Sequence, residues 1–404
     1  DIVYDENNKH NGDVEVADNK FDFVEGDITY LSRKDGFANY DTATAAPTNF
    51  ELDGTIYGNG TYDPTDYDND DDKMPTTGAD NGLELFDLRG ASYDDDRWED
   101  LLDEMTVDEM VDLIAFGGHQ NIAVSSIDKI RILDTDGPAG VNSSTLGIFG
   151  TGFCSEIILA QTWNTELAVA FSEAMGQEFA DYHVTGWYAP SMNIHRSAFG
   201  GRDFEYYSED ALLSGKMGAA MVRGCNEKNV YTYIKHFALN DQETNAIGGA
   251  NWCNEQAMRE IYLKPFELSV KEGESKAIMT TWSRIGATWA GASKPLLQNV
   301  LRDEWGFEGF VITDNAMMGD FQNADQAIAA GNDMMLSSTQ KEITIDETAE
   351  GRQLMRKACH NILYVVANSN ALEHARVGVP GWIYGYVAFD AVMLGLIALG
   401  FMGC

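Results

Sequence analysis

A set of polar side chains suited to a hydroxyl-rich ligand follows short apolar runs along this chain. The clearest case is Asp314, which comes directly after residues 310–313, a run with the composition of a strand buried on both faces. Carboxylates accept hydrogen bonds from hydroxyl groups, whereas arginine and lysine donate them. Together these residue types predict a hydrogen-bonding cage. The residues are Asp136, Arg202, Lys235, His236 and Asp314.

The apolar runs alternate with helical patterns, which predicts an α/β fold with a parallel sheet. In a parallel barrel the chemistry takes place at the C-terminal ends of the strands, where these polar residues lie. We therefore predict a (β/α)8 TIM-like barrel, irregular because fewer than eight strands are recognisable. The absence of G-x-G-x-x-G after the first strand disfavours a dinucleotide-binding sheet. The predicted strands are 130–133, 186–194, 230–234, 277–280, 310–313 and 333–336.

Composition limits the classes of partner and cofactor. The net charge of −38 argues against nucleic-acid binding, because phosphates would be repelled. The scattered cysteines contain no C-x-x-C pair, so we expect neither a zinc site nor a disulfide framework, and we expect no cofactor. The chain begins with Asp1 and no apolar leader follows, which fits a processed chain or part of a longer one.

Three regions differ in character. Residues 1–94 are polar and turn-rich and are interpreted as an N-terminal extension or linker, residues 95–372 as the barrel domain, and residues 377–404 as a transmembrane helix. From Val377 onward Asp390 is the only charged residue, and aromatic residues cluster at the start of the segment. We expect attachment to the cell membrane with the barrel outside, and self-association is possible because Asp390 needs a partner. A buried terminal helix is the alternative.

The acidic run Asp63–Asp72 leaves one metal question open. Its alternating aspartates resemble the start of a calcium loop, but Asp71 stands where glycine is needed and Thr77 where glutamate is needed. A solvated acidic loop is the default interpretation, and no metal is assigned.

Four segments, in the same order along the chain, resemble signatures of glycoside hydrolase family 3. Residues 200–210, with Arg202, look like its arginine loop, and residues 235–245 are similar to its lysine-histidine motif. Residues 135–141 and 309–314 match two further signatures. The resemblance covers about residues 95–370.

This resemblance implies a retaining glycosidase. It makes Asp314 the nucleophile that forms a covalent glycosyl-enzyme, while Asp136, Arg202, Lys235 and His236 grip the sugar. Retaining hydrolysis needs two carboxyl groups about 5–5.5 Å apart. We expect the nearby cations to hold Asp314 ionised.

Departures from the family pattern concern the neighbours of these residues. Asn315 follows the nucleophile where β-glucosidase-like members usually have tryptophan, and Trp282 replaces a common tyrosine and is expected to contact substrate. The lysine-histidine motif lacks the Pro-Gly-His-Gly continuation that carries the acid/base of the family's N-acetylglucosaminidases. We therefore expect an acid/base from an α/β sandwich domain upstream or on a separate chain. Residues 21–33 resemble the joining segment of a domain-permuted, membrane-anchored member.

The leading hypothesis is an exo-acting β-glycosidase that hydrolyses a β-glucoside or β-xyloside. The alternative is a catalytically silent carbohydrate-binding or scaffold subunit that keeps the sugar site. A phosphate-binding aldolase with Lys235 as Schiff base is disfavoured, because Asp136 and Asp314 would repel phosphate. The sugar, linkage, anomer and oligomeric state stay open.

Overall fold

The computed structural model describes residues 20–21, 36–45, 71–143, 147–339, 341–373, 389 and 393. The Asp63–Asp72 run apart from residues 71–72, the joining segment 21–33 apart from Phe21, and the predicted transmembrane segment 377–404 apart from Phe389 and Met393 therefore lie outside the described residues. Within the described part, no helix has both the length and the apolar character needed to cross a bilayer.

A curled six-stranded sheet organises the fold. The strands are β1 (Gln120–Asn121), β2 (Ile132–Thr135), β3 (Asn142–Ser143), β4 (Ile148–Phe149), β5 (Val184–Trp187), β6 (Tyr231–Phe237), β7 (Ala250–Asn251), β8 (Ala277–Thr280), β9 (Arg284–Ile285), β10 (Thr288–Trp289) and β11 (Phe310–Ile312). The main sheet has the order β1-β2-β5-β6-β8-β11. Strand β1 is antiparallel to β2, and the other neighbours are parallel.

Helices follow most of the main strands, as the alternating pattern predicts. The α-helices are α1 (Tyr40–Ala43), α2 (Arg97–Glu104), α3 (Val107–Ala115), α4 (Glu156–Ala160), α5 (Thr165–Asp181), α6 (Ala211–Asn226), α7 (Glu255–Ala257), α8 (Lys264–Lys271), α9 (Ala324–Ala330) and α10 (Ala349–Ala367). Residues Met258–Tyr262 and Pro295–Glu304 are π-helical. Short 3₁₀ helices are Leu85–Leu88, Ser125–Ile127, Asp203–Glu205, Ala290–Ala292, Ile345–Glu347 and Asn370–Leu372.

The predicted α/β class is confirmed, but the eight-stranded TIM barrel is not what the described residues form. The main sheet has six strands, one of them antiparallel. Instead of further strands, irregular backbone connects its edges. Thr313 N donates to Met334 O, and Gly117 N donates to Met335 O. These hydrogen bonds join the β11 edge to the segment that leads into β1.

Side chains alternate between the two faces of the sheet along each strand, and both faces are buried in apolar clusters. On β6, Tyr231 and Tyr233 lie in one apolar cluster and Ile234 in the other. On β11, Phe310 and Val311 divide in the same way. The strands that carry the polar residues are thus fixed by packing on two sides.

The folded core extends into the range interpreted as the N-terminal extension. Leu85 and Leu88 are fully buried and pack in the same cluster as Trp98 of α2. A capping box, in which Thr106 and Glu109 each satisfy the other's backbone N–H, fixes the start of α3 as predicted.

Candidate active site

The strand ends bring the predicted cage residues together. Lys235 Nζ donates to Asp136 Oδ1 over 2.9 Å, which connects the end of β6 to the loop after β2. Arg202 Nη2 lies 2.9 Å from His236 Nε2. That imidazole nitrogen lies 3.8 Å from Asp314 Oδ2 at the end of β11. Lys235 and His236, which are adjacent on β6, therefore bring Asp136 and Arg202 to the same end of the sheet, with Asp314 beside them.

Local backbone contacts set the position of each group. His236 N donates to Asn193 Oδ1, and Asn193 Nδ2 donates to His236 O, so a side-chain amide fixes the end of β6. The Lys235–His236 peptide bond is cis. Trp187 Nε1 donates to Gly137 O, which anchors the loop that carries Asp136.

Asp314 is a buried carboxylate with an elevated pKa. Burial raises its pKa to about 6, the backbone N–H of Asn315 opposes that rise, and Arg202 and Lys235 oppose it further. We expected the cations to dominate. They do not, because desolvation of a buried carboxylate outweighs their attraction. Above pH 6 the group is nonetheless mainly ionised, as a nucleophile must be.

The neighbouring groups divide into charged and neutral ones. Burial and the charges of Arg202 and Lys235 hold the pKa of His236 well below its usual value, so the imidazole is neutral. Although burial lowers the pKa of Lys235, the carboxylates of Asp136 and Glu205 raise it by more, and the ammonium stays charged. The cage therefore presents two cations, carboxylates and one neutral imidazole.

Trp282, which was expected to contact substrate, contacts the loop that follows the nucleophile. Its Nε1 donates to Asn315 O over 3.0 Å, and the side chain is half-buried. Gln322 Nε2 donates to the same carbonyl over 2.9 Å. Trp282 thus helps to hold the loop after β11, and its contact with a substrate stays a prediction.

Sequence reasoning missed Glu205, which binds both cations of the cage. Its Oε1 accepts from Arg202 Nε over 2.5 Å, and its Oε2 lies 3.6 Å from Lys235 Nζ. The signal was present in the sequence, since Glu205 follows Arg202 by three residues within the arginine loop. Ser191 was also missed; its hydroxyl donates to Glu205 Oε2 over 2.9 Å.

A cavity of about 640 Å³ lies on the other side of the arginine loop. Gly200 and Gly201 of that loop form part of its wall, together with Leu239 and Glu243 from the segment after β6. Trp252 lines it as well. None of the predicted cage residues lines the cavity, so the cavity is separate from the cage.

Comparisons with known proteins agree with the geometry. The family profile for the glycosyl hydrolase family 3 N terminal domain matches residues 120–361. Beta-glucosidase A of Butyrivibrio fibrisolvens is 35% identical over 290 residues, which are 69% of this chain and 34% of the relative. Beta-glucosidase B of Emericella nidulans is 32% identical over 291 residues, with 69% and 34% coverage. The chain therefore spans about a third of the length of these curated relatives.

Solved structures show the same likeness. Beta-glucosidase 3B from Thermotoga neapolitana in complex with glucose superposes with a TM-score of 0.63 and 32% identity, covering 73% of this chain and 46% of that one. A GH3 beta-glucosidase from Bifidobacterium adolescentis superposes with a TM-score of 0.61 and 30% identity, covering 72% and 43%.

Proposed function

Because the chain belongs to glycosyl hydrolase family 3, we propose that it is the N-terminal-domain part of a retaining, exo-acting β-glycosidase with a β-glucoside or β-xyloside as substrate. The observation that carries the proposal is the position of Asp314, buried at the end of β11 and 3.8 Å from His236 in a cage of sugar-binding groups. Relatives named as beta-glucosidases support the choice of substrate class.

In the proposed reaction, the Asp314 carboxylate attacks the anomeric carbon and a glycosyl ester forms as the bond to the leaving oxygen breaks. A general acid gives that oxygen its proton. Water then attacks the anomeric carbon of the ester, the same group takes a proton from the water, and the bond to the Asp314 oxygen breaks to release the carboxylate. Arg202, Lys235 and Asp136 hold the sugar hydroxyls, and the neutral His236 can accept or donate one hydrogen bond.

We further propose that the general acid/base comes from outside the described cage, in the α/β sandwich domain expected from the sequence. The described carboxyl groups around Asp314 are already engaged: Asp136 by Lys235, and Glu205 by Arg202 and Ser191. The same observation favours the second candidate function, a sugar-binding subunit without turnover.

Covalent trapping tests the proposal. The chain is incubated with 2,4-dinitrophenyl 2-deoxy-2-fluoro-β-glucoside, and peptides are sequenced by mass spectrometry. The activated leaving group needs little acid catalysis, so labelling of Asp314 is expected even without the acid/base. Label on another residue would overturn the assignment of Asp314 as the nucleophile, and glucose binding without any label would favour the silent subunit. Xyloside and arabinoside probes in parallel identify the sugar.

The same chain tests the external acid/base. We expect cleavage of 2,4-dinitrophenyl β-glucoside at a rate at least about a hundredfold above that of methyl β-glucoside, since only the second needs a proton donor. Equal rates would place the acid/base within this chain.

The membrane anchor over 377–404, with the barrel on the outer side, also stays a proposal from the sequence.

A further inference from the structure

A carboxyl group without a role in the proposed reaction lies directly behind the cage. Glu156, the first residue of α4, is 0% exposed. Its Oε2 accepts from Ser191 N over 3.4 Å, and within the described part of the chain its Oε1 has no hydrogen-bond partner. A buried ionised carboxylate left this poorly paired would be costly.

The group is connected to the cage through Ser191. The backbone N–H of Ser191 donates to Glu156 Oε2, and the hydroxyl of Ser191 donates to Glu205 Oε2 over 2.9 Å. Glu205 in turn binds Arg202 and lies 3.6 Å from Lys235. Ser191 also forms an isolated parallel bridge with Lys235. Glu156 is thus connected to Arg202 and Lys235 through two residues, Ser191 and Glu205.

The charges that face Glu156 come from several elements. Burial raises the pKa of Glu156 most, and the charges of Glu205 and Asp136 raise it further. Lys235 and the Ser191 N–H oppose that rise, and the pKa remains well above its usual value. Lys235 makes ion pairs within 4.0 Å with Asp136 and Glu205 and none with Glu156. Tyr207, whose pKa burial and then Glu156 raise, is the other titratable neighbour.

We propose that Glu156 is a positioning residue: a neutral carboxylic acid that fixes Ser191, and through it Glu205, so that Arg202 and Lys235 face the substrate. Its neutrality matters to the balance of the cage. Arg202 and Lys235 are matched by Glu205 and Asp136, and an ionised Glu156 would add a further negative charge beside Glu205 and Asp136, which already disfavour its ionisation.

Infrared difference spectroscopy tests the protonation state without any assumption about activity. The spectrum of wild type minus Glu156→Gln at pH 7 is expected to show the carbonyl stretch of a protonated carboxylic acid, shifted in D2O. Antisymmetric carboxylate bands in that difference would overturn the proposal. Glu166→Gln, an exposed residue in the first turn of α5, is the matched control and should show carboxylate bands.

The positioning role has a separate readout, which rests on the proposed function because it uses glucose as the probe. Glu156→Gln keeps an acceptor for Ser191 and is expected to bind glucose within about twofold of wild type. Glu156→Ala and Ser191→Ala should each weaken binding about tenfold, and the double variant no further, since coupled residues are not additive.

Additive losses, or full affinity in the alanine variants, would overturn the positioning role. If Glu156→Ala does not fold, Glu156→Asp, whose shorter side chain moves the carboxyl group away from Ser191 N, takes its place in the double-variant comparison with Ser191→Ala. Wild type that fails to bind glucose would contradict the proposed function, while the infrared result would still decide the protonation state of Glu156.

Discussion

At the scale of single residues, the site depends on a balance between burial and charge. Asp136, Arg202, Lys235, His236 and Asp314 could be singled out from the sequence because each belongs to a segment that resembles a family signature. Glu205 could have been inferred from its position three residues after Arg202 in the arginine loop. Glu156 could not, because a sequence does not distinguish a buried glutamate from a solvated one in a first helical turn, and its role depends on a contact with Ser191, far away in the chain.

Asp314→Asn is expected to abolish labelling by the fluoroglycoside yet stabilise the fold at neutral pH. Burial raises the Asp314 pKa from 3.8 to about 6, a difference of about 2 units or about 3 kcal/mol. Protonation is thus favoured in the folded state. The contribution of Asp314 to stability is fully present below pH 3.8 and is lost as the pH rises through about 6.

The measurement is urea unfolding of both proteins at pH 4 and pH 8. The gain in unfolding free energy from Asp314→Asn should grow by up to about 3 kcal/mol between those two values. A gain that does not change with pH would show that the Asp314 pKa is ordinary. In the wild type, the labelling rate should rise with pH around 6.

Arg202→Lys is expected to lower the second-order rate constant for labelling by about a hundredfold. Arg202 uses Nε for Glu205 and Nη2 for His236 at the same time, and a lysine ammonium cannot reproduce that planar, two-sided geometry. Arg223→Lys, at an exposed position in α6, is the control and should label at the wild-type rate. A loss of less than threefold at Arg202 would place its guanidinium outside the sugar site.

At the scale of elements, the strands with strong apolar runs were the predictable ones. Residues 277–280 were predicted as a strand and match β8, and β11 ends one residue before the predicted end. The strand predicted over 186–194 is instead Val184–Trp187, because Pro190 has no backbone N–H with which to continue the ladder, and beyond it only Ser191 forms an isolated bridge, with Lys235. Residues 333–336 make a single bridge, Met334 with Ile312, because after Asp333 N and Met334 N have donated to Val311 O of β11, Met335 N donates to Ile114 O of α3.

Gly309→Ala tests how β11 places Asp314. A Cβ at Gly309 would lie 2.2 Å from Lys276 O and 2.7 Å from Phe307 Cζ, so the start of the strand must shift. We expect a loss of about 1–3 kcal/mol in unfolding free energy, as for overpacked sites, and slower labelling of Asp314. Gly152→Ala has open space around the new methyl group and should change stability by less than about 0.5 kcal/mol. Equal effects of the two substitutions would contradict this account of β11.

At the scale of the whole molecule, the alternation of strands and helices predicted the class but not the closure of the sheet. Closure depends on hydrogen bonds such as Gly117 N to Met335 O, between segments that lack strand periodicity. The burial of Leu85 and Leu88 could not be predicted either, because a short 3₁₀ turn in a polar region has no hydrophobic periodicity.

The membrane anchor remains a prediction at this scale, and it is open to a direct test. Residues 379–404 contain one charge, Asp390, and as a helix would rise roughly 39 Å, more than the hydrocarbon core of a bilayer of about 30 Å. Of that range the structure describes Phe389 and Met393, whose apolar side chains are exposed. Exposed apolar residues four apart suit a lipid or partner surface.

Deleting the chain from Val377 onward should therefore move the protein from the detergent-extracted membrane fraction to the soluble fraction, with the labelling rate of Asp314 unchanged. Asp390 near the middle of a span costs a few kcal/mol unless it is protonated or faces a partner. Asp390→Leu should accordingly keep the full chain in the membrane and reduce its self-association in detergent. A full-length chain that is soluble and monomeric in plain buffer would show that the segment packs on the barrel.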